Sequence, residues 1–260
     1  MIKIQEFGSG SSGNAYLIFD GYAPLLLDCG LSFTALKKDL WNSGYGIGQL
    51  SGCLVTHDHG DHLKAAGKLA EAGVNIYCSE GTAESIKTNA MHRIIKVKAG
   101  KQFTFSGWTV MPFDTIHDAV EPLGFILAKG GNKLLYATDT AYIKYRFKDL
   151  THIMIEANYS RDLLHESDVH EKVRARIVQS HFSIENVLEM LQANDLSKVQ
   201  EIWLLHLSEN HAEPREFKRL VQEATGIPVK VAQRRRIVDG NYSPDINIKK
   251  TTGQVKRRWG

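Results

Sequence analysis

Three histidines and two aspartates fall within six consecutive positions, His57-Asp58-His59-Gly60-Asp61-His62, and this His-x-His-x-Asp-His cluster constrains the chain more than any other feature. The apolar run Cys53-Leu54-Val55-Thr56 precedes it, and a helix-like segment, Leu63 to Ala72, follows. The cluster therefore belongs on a loop between a strand and a helix. At the end of an extended segment side chains alternate, so His57 and His59 project to one side and can chelate a cation through imidazole nitrogen. Asp61 and His62 fall where the chain turns into the helix and can serve a neighbouring cation. Two ions roughly 3.5–4 Å apart can activate a water and stabilise the leaving oxygen of a displacement. A polar loop with solvated histidines is the plainer alternative, but so many ligand types directly after a buried strand argue against it.

On these residues the chain resembles the metallo-β-lactamase superfamily, and the similarity runs along most of its length. The resemblance implies an α/β fold, a four-layer αββα sandwich, with a dinuclear site along one edge of the two sheets. The cofactors it implies are two divalent metal ions, Zn or Mn. Leu25-Leu26-Leu27-Asp28 is similar to the superfamily's first motif, so Asp28 is expected to accept hydrogen bonds from the histidine ligands and orient them. His117, after the strand-like Trp108 to Phe113, matches the third ligand of the first metal. Asp139, in Leu134-Leu135-Tyr136-Ala137-Thr138-Asp139, matches the bridging aspartate, and His206, after Ile202-Trp203-Leu204-Leu205, the last ligand of the second metal. The implied sets are His57, His59 and His117 for one ion and Asp61, His62 and His206 for the other, with Asp139 between them. A lone strand-end His or Asp is more often a surface residue or a turn former; the order and placement of these three count against that here.

A chain of 260 residues, 43% of them hydrophobic, can bury a substantial core, and one domain is preferred over two smaller ones. Residues 1–232 are expected to form the catalytic domain and 233–260 a basic C-terminal extension. That extension carries eight Lys or Arg against Asp239 and Asp245, a net +6, while the rest of the chain is at −3. It can track a phosphate backbone through counterion release or be a solvated end. No apolar run approaches the roughly 20 residues that span a bilayer, so no membrane partner is expected and the location is expected to be cytoplasmic. Cys29, Cys53 and Cys78 are unclustered and read as buried thiols of a reducing compartment.

Alternation and apolar runs predict strands at Ile2 to Phe7, Ala15 to Phe19, Pro24 to Leu27, Cys53 to Thr56, Asn75 to Cys78, Gln102 to Phe105, Trp108 to Phe113, Gly124 to Ala128, Lys133 to Thr138, His152 to Glu156 and Glu201 to His206. Helices are predicted at Thr34 to Asn42, Leu63 to Ala72, Ala83 to Ala90, Ser167 to Val178, Ser183 to Ala193 and Pro214 to Thr225.

Three further segments bear on the branch. The loop Gly8-Ser9-Gly10-Ser11-Ser12-Gly13-Asn14 could cradle a phosphate with its N–H groups and hydroxyls, and it is similar to the loop of the WalJ/YycJ branch of exonuclease-like proteins. The segments Ile155-Glu156-Ala157-Asn158 and Ser180-His181-Phe182-Ser183 resemble motifs of that branch and of the tRNA 3′-end ribonucleases of RNase Z type. The resemblance implies that His181 is a general acid, that Glu156 holds and orients it, and that Asp61 helps take the proton from water. Ser11, Ser12, Asn14 and Asn158 are the expected substrate contacts. Only 67 positions separate Asp139 from His206, which leaves no room for a β-CASP domain, and 17 separate Asp139 from Glu156, too few for a tRNA-binding arm. The expectation is a dinuclear-metal-dependent phosphodiesterase, a 5′-to-3′ exonuclease whose partner is nucleic acid, DNA preferred over RNA. A ribonuclease of RNase Z type, a glyoxalase-type thioesterase or lactonase, and a noncatalytic metal-stabilised nucleic-acid-binding module are the alternatives.

Overall fold

Leu25, Leu26 and Leu27 show how this chain builds layers. Leu25 and Leu27 point into one apolar cluster and Leu26 into another, so a three-residue strand is buried on both faces. The computed structural model describes residues 2–233 and, beyond them, the backbone of Ile237–Val238 and Asn241–Tyr242, which pair antiparallel. The rest of the expected basic extension, residues 233–260, lies outside the described residues.

A six-stranded sheet holds β1 (Lys3–Gly8), β2 (Ala15–Phe19), β3 (Leu25–Leu27), β4 (Gly52–Leu54), β5 (Ile76–Cys78) and β6 (Ile94–Lys96) in sequence order. Its first three strands are antiparallel and β3 to β6 run parallel. A seven-stranded sheet holds β7 (Phe103–Phe105), β8 (Trp108–Asp114), β9 (Leu123–Lys129), β10 (Asn132–Ala137), β11 (His152–Glu156), β12 (Glu201–Leu205) and β13 (Val229–Val231), again in order. There β7 to β10 are antiparallel and β10 to β13 parallel.

The facing surfaces of the two sheets enclose one core, with Tyr16, Leu27 and Leu54 of the first sheet against Trp108, Phe125, Tyr136 and Leu205 of the second. The outer face of the first sheet is covered by α1 (Phe33–Asn42) through Leu36 and Leu40 and by α3 (Ala66–Glu71) through Ala66, Leu69 and Ala70. The outer face of β11 to β13 is covered by α7 (Ile184–Gln192) and α8 (Pro214–Thr225) through Val187, Leu191, Phe217 and Val221. The result is the expected αββα order. Each fully buried Leu in these layers contributes about 1.5–3 kcal/mol relative to exposure.

Capping sets several helix ends. Ser32 Oγ accepts from Ala35 N at 3.3 Å, Ser183 Oγ accepts from Asn186 N at 3.2 Å, and Pro214 opens α8 where a missing N–H costs nothing. Three helical expectations need correction. The helix predicted at Leu63 to Ala72 is two pieces, α2 (Gly60–Leu63) and α3, broken where Ala65 N turns to donate to Cys29 O. The one predicted at Ala83 to Ala90 is α4 (Glu80–Glu84), because Ser79 rather than a later residue caps it. The one predicted at Ser167 to Val178 is α5 (Arg161–Glu166) and α6 (Glu171–Ser180), with the His170 side chain accepting from Lys172 N at the start of α6. The strands β6 and β13 were not predicted; each is a three-residue edge strand too short to show a period.

Because β3, β4, β8, β10, β11 and β12 all point the same way within their sheets, the loops that leave their carboxyl ends gather along one edge. Open α/β sheets bind ligands on that edge.

Candidate metal centre

Asp28, Asp139 and His206 each leave a strand end in the left-handed backbone region, with φ of 56°, 46° and 52°. That conformation costs a non-glycine residue of order 1–3 kcal/mol and persists where the surroundings over-determine it. Here it turns each side chain back onto the sheet edge. The His57–His62 loop comes to the same place from β4. His59 is the extended residue before α2, with φ −69° and ψ 145°, so His57 and His59 leave an extended backbone while Asp61 and His62 lie in the first turn of α2.

The structure brings together all seven side chains matched to the superfamily's metal-ligand pattern. His57, His59 and His117 form one group of donor atoms mutually within 4.8 Å, and Asp61, His62, Asp139 and His206 form a second. Asp139 connects them: its Oδ2 is 3.4 Å from His62 Nε2, 3.6 Å from His117 Nε2 and 3.9 Å from His57 Nε2. Asp61 Oδ2 lies 3.6 Å from both His62 Nε2 and His206 Nε2. Donors around one tetrahedral Zn²⁺ at about 2.1 Å stand roughly 3.4 Å apart, so these spacings suit a divalent cation.

The ring nitrogens are sorted by their neighbours. His62 Nδ1 donates to Asp28 Oδ2 at 2.8 Å, His117 Nδ1 to the Ser180 carbonyl at 2.8 Å, and His206 Nδ1 to Glu156 Oε1 at 3.0 Å. Thr56 Oγ1 donates to Asp28 and lies 3.0 Å from His57 Nδ1, whose N–H it can accept. In all four rings Nε2 is the nitrogen left facing the cluster. His57 Nε2 and His206 Nε2 are buried without a hydrogen-bond partner among the described residues, a costly state unless something else fills the space between them. Soft thiolates are absent from the donor set, which fits Zn²⁺ or Mn²⁺.

The electrostatics agree. Burial pushes His57 well below the ordinary imidazole value, helped by His62, His117 and His59, and burial likewise lowers His117, so both rings are neutral donors. Burial opposes the protonation of His206, but Asp139, Asp61 and Glu156 outweigh it and push the ring up to about 10. His62 is raised in the same way by Asp139 and Asp28. Burial would raise the carboxyls of Asp139 and Asp61, yet the imidazoles hold both below the ordinary range. The protons on His62 and His206 are those a divalent cation would displace.

Behind this cluster sits a second arrangement. Glu156 is fully buried; its Oε2 accepts from Thr140 N at 2.9 Å and Phe182 N at 3.0 Å, and its Oε1 accepts from His181 Nδ1 at 2.7 Å as well as from His206. Burial works against charge on both partners, but their mutual attraction wins, holding Glu156 below and His181 above their ordinary values. His181 is the more exposed partner, its side chain 21% open.

Of the expected substrate contacts, Ser11 and Ser12 are exposed on the loop before β2. Asn14 is fully buried, its Nδ2 3.0 Å from His62 Nε2 and 3.3 Å from Asp61 O. Asn158 donates to His206 O at 2.8 Å. The geometry makes both asparagines supports of the ligand loops. Sequence reasoning missed Thr56, Tyr136, Ser9 and Thr138. Tyr136 OH donates to Asp28 Oδ2 at 2.6 Å, His206 N donates to Ser9 Oγ at 2.9 Å, and Thr138 Oγ1 donates to Asp139 Oδ1 at 2.8 Å. Thr56 and Thr138 each directly precede a candidate ligand, and Ser9 lies in the Gly/Ser loop already singled out; Tyr136 carries no local signal.

Comparison with known proteins follows the same lines. The family model described as "Beta-lactamase superfamily domain" matches residues 24–207. The exodeoxyribonuclease WalJ of Streptococcus pneumoniae (strain D39) is 27% identical over 258 residues, covering 94% of this chain and 95% of that protein. The exodeoxyribonuclease YycJ of Bacillus anthracis is 30% identical over 223 residues, covering 80% and 83%. Among solved structures, the metallo-β-lactamase fold protein YhfI of Bacillus subtilis superposes with a TM-score of 0.66 at 17% identity, over 90% of this chain and 97% of that one.

Proposed function

Since the chain belongs to the metallo-β-lactamase superfamily, in its WalJ/YycJ-like branch, we propose that it is a metal-dependent nuclease that degrades DNA from the 5′ end. The observation that carries this reading is the Glu156–His181 pair, 2.7 Å apart, at the rim of the two ligand groups. The names of the two relatives, both exodeoxyribonucleases, support the choice of substrate.

Bound divalent cations, two of them and zinc or manganese on our reading, would supply Lewis-acid neutralisation of the phosphate and make a water easier to deprotonate. The chain's own residues divide the rest of the work. Asp61, a quarter exposed at the mouth of the site and ionised, is the carboxylate placed to receive the proton of the attacking water. As water oxygen bonds to phosphorus, the bond to the 3′-oxygen breaks, and that oxygen needs a proton. His181 can supply it: Nδ1 is fixed on Glu156, which leaves Nε2 as the proton donor, and Glu156 keeps the ring protonated. Asp28 and Asn14 hold the His62 and Asp61 geometry and take no part in proton transfer. The three buried free thiols, Cys29, Cys53 and Cys78, support a reducing, cytoplasmic setting. Among the described residues no helix is long and apolar enough to cross a membrane.

The test presents purified protein, with Mn²⁺ or Zn²⁺, to 5′-labelled and 3′-labelled duplex DNA, single-stranded DNA and RNA. Release of mononucleotides from the 5′ end of DNA, abolished by chelation, is expected. Cleavage confined to RNA, or hydrolysis of thioesters with no action on nucleic acid, would overturn the reading.

A further inference from the structure

The segment that leaves the metal centre after Asp139 alternates rings and cations: Tyr142-Ile143-Lys144-Tyr145-Arg146-Phe147-Lys148. Its start is fastened to the site. Ala141 N donates to Ile116 O at 2.8 Å, next to His117, and Lys144 and Tyr145 both bond Asp114 at the end of β8. From there it forms one wall of a groove of about 1010 Å³ on the outer face of the second sheet. The helices α7 and α8 cover β11 to β13, while Thr109, Met111, Ile126 and Ala128 of β8 and β9 form the groove floor.

Charge and ring placement point to the occupant. Four cations line the groove, Lys129, Lys133, Arg146 and Lys148, against the single carboxylate Asp149, which is paired to Lys198 at 2.5 Å. Lys129 is paired with Asp20, and Lys133 donates to the Lys148 carbonyl at 2.7 Å. Arg146 and Lys148 are exposed, with side chains engaged by no other described residue. The rings of Tyr145 and Phe147, half-buried between these cations, line the groove as well, whereas Tyr142 stands outside it. Half-exposed rings interleaved with unpaired cations suit unpaired bases on a phosphate backbone, because any base can stack and each phosphate needs a counter-charge. A duplex keeps its bases stacked on one another and has no use for the rings.

We propose that this groove binds a stretch of single-stranded nucleic acid whose end lies in the metal centre. The inference rests on the nuclease reading above. It adds a binding track outside the site and the element that forms it.

The test measures binding of a fluorescent, hydrolysis-resistant phosphorothioate oligothymidylate to the full-length, metal-loaded protein by anisotropy across a salt series. Replacing both free cations, R146A with K148A, should lower the log–log salt slope by roughly 0.7 per lost phosphate contact, about 1.4 in all. Phe147→Leu, which keeps an apolar side chain and removes the ring, should weaken binding roughly 5-fold or more, towards the effect of one stacked base, with the slope unchanged. Removing two other exposed cations, on α8, R215A with K218A, should leave the slope where it was. A protein that cleaves and binds DNA while both test variants match the wild type overturns the groove and leaves the nuclease reading standing. A protein that neither binds nor cleaves any nucleic acid overturns both. Equal competition by polyglutamate, with no effect of Phe147→Leu, would assign the groove to an acidic peptide and also overturn the proposal.

Discussion

Replacing Asp28 by Asn tests how the site selects which nitrogen of His62 is offered to a cation. In the wild type Asp28 Oδ2 accepts from Tyr136 OH at 2.6 Å and from His62 Nδ1 at 2.8 Å, while Oδ1 accepts from Thr56 N at 2.8 Å. A carboxylate can only accept, so His62 must keep a proton on Nδ1 and, once a cation has displaced the other, present Nε2 as a lone pair. In D28N the amide oxygen keeps the Thr56 N–H, which places the NH₂ group against Tyr136 and His62. The tyrosine hydroxyl can rotate to accept. His62 can satisfy the new donor only by shifting its proton to Nε2, the atom 3.4 Å from Asp139 Oδ2 at the centre of the cluster. The group of Asp61, His62, Asp139 and His206 then loses one donor. Changes to such supporting partners typically cost 10- to 100-fold in metal affinity, about 1.4–2.7 kcal/mol. The other group should suffer less, since Thr56 can still donate to the remaining oxygen and accept from His57. Competition with a chromophoric chelator, read against metal content, should show one ion weakened by that factor and the other by much less. Metal affinities within twofold of wild type at both steps, or a selective loss at His57, His59 and His117, would refute the reasoning. Melting in chelator should differ little, which separates loss of metal from loss of fold.

Three other outcomes are expected. His181→Ala should retain its metal, by elemental analysis, yet lose roughly 10²- to 10⁴-fold in turnover of DNA; full activity would exclude His181 as the proton donor. Gly30→Ala would place a Cβ 1.6 Å from the Asp61 carbonyl oxygen and 2.8 Å from His62 N, so the ligand loop must move; a stability loss of about 1–3 kcal/mol and weakened metal binding are expected in melting and metal-content measurements. Glu6 is raised by burial to about 7, against opposing contributions from Gln233 N and Lys230, so the folded protein binds its proton more tightly than the unfolded chain. Stability from this group is greatest below pH 4.5 and is lost as pH rises towards 7; Glu6→Gln should therefore melt higher than wild type at pH 8, by an amount on the order of 1–3 kcal/mol, relative to the comparison at pH 4.5.

That these candidate ligands gather at one place was legible because most of the information is local. His57 to His62 lie on one loop, and His117, Asp139 and His206 each follow an apolar strand whose end can be read from composition. The αββα layering was legible for a similar reason, since runs such as Leu25-Leu26-Leu27 and Ile202-Trp203-Leu204-Leu205 are apolar on both faces and must be covered twice. What holds the ligands was not legible. Tyr136 reaches Asp28 across 108 positions, and the His206 amide reaches Ser9 across 197. Those contacts follow from strand register and from the left-handed turns at Asp28, Asp139 and His206, which no local pattern announces. The same holds for the buried place of Asn14, whose flexible-looking Gly/Ser loop is pinned against Asp61 and His62. The sequence by itself determined which side chains collect at the ends of the strands; the tertiary structure decided their tautomers, charges and distances, because these depend on neighbours that only the packed sheets bring together.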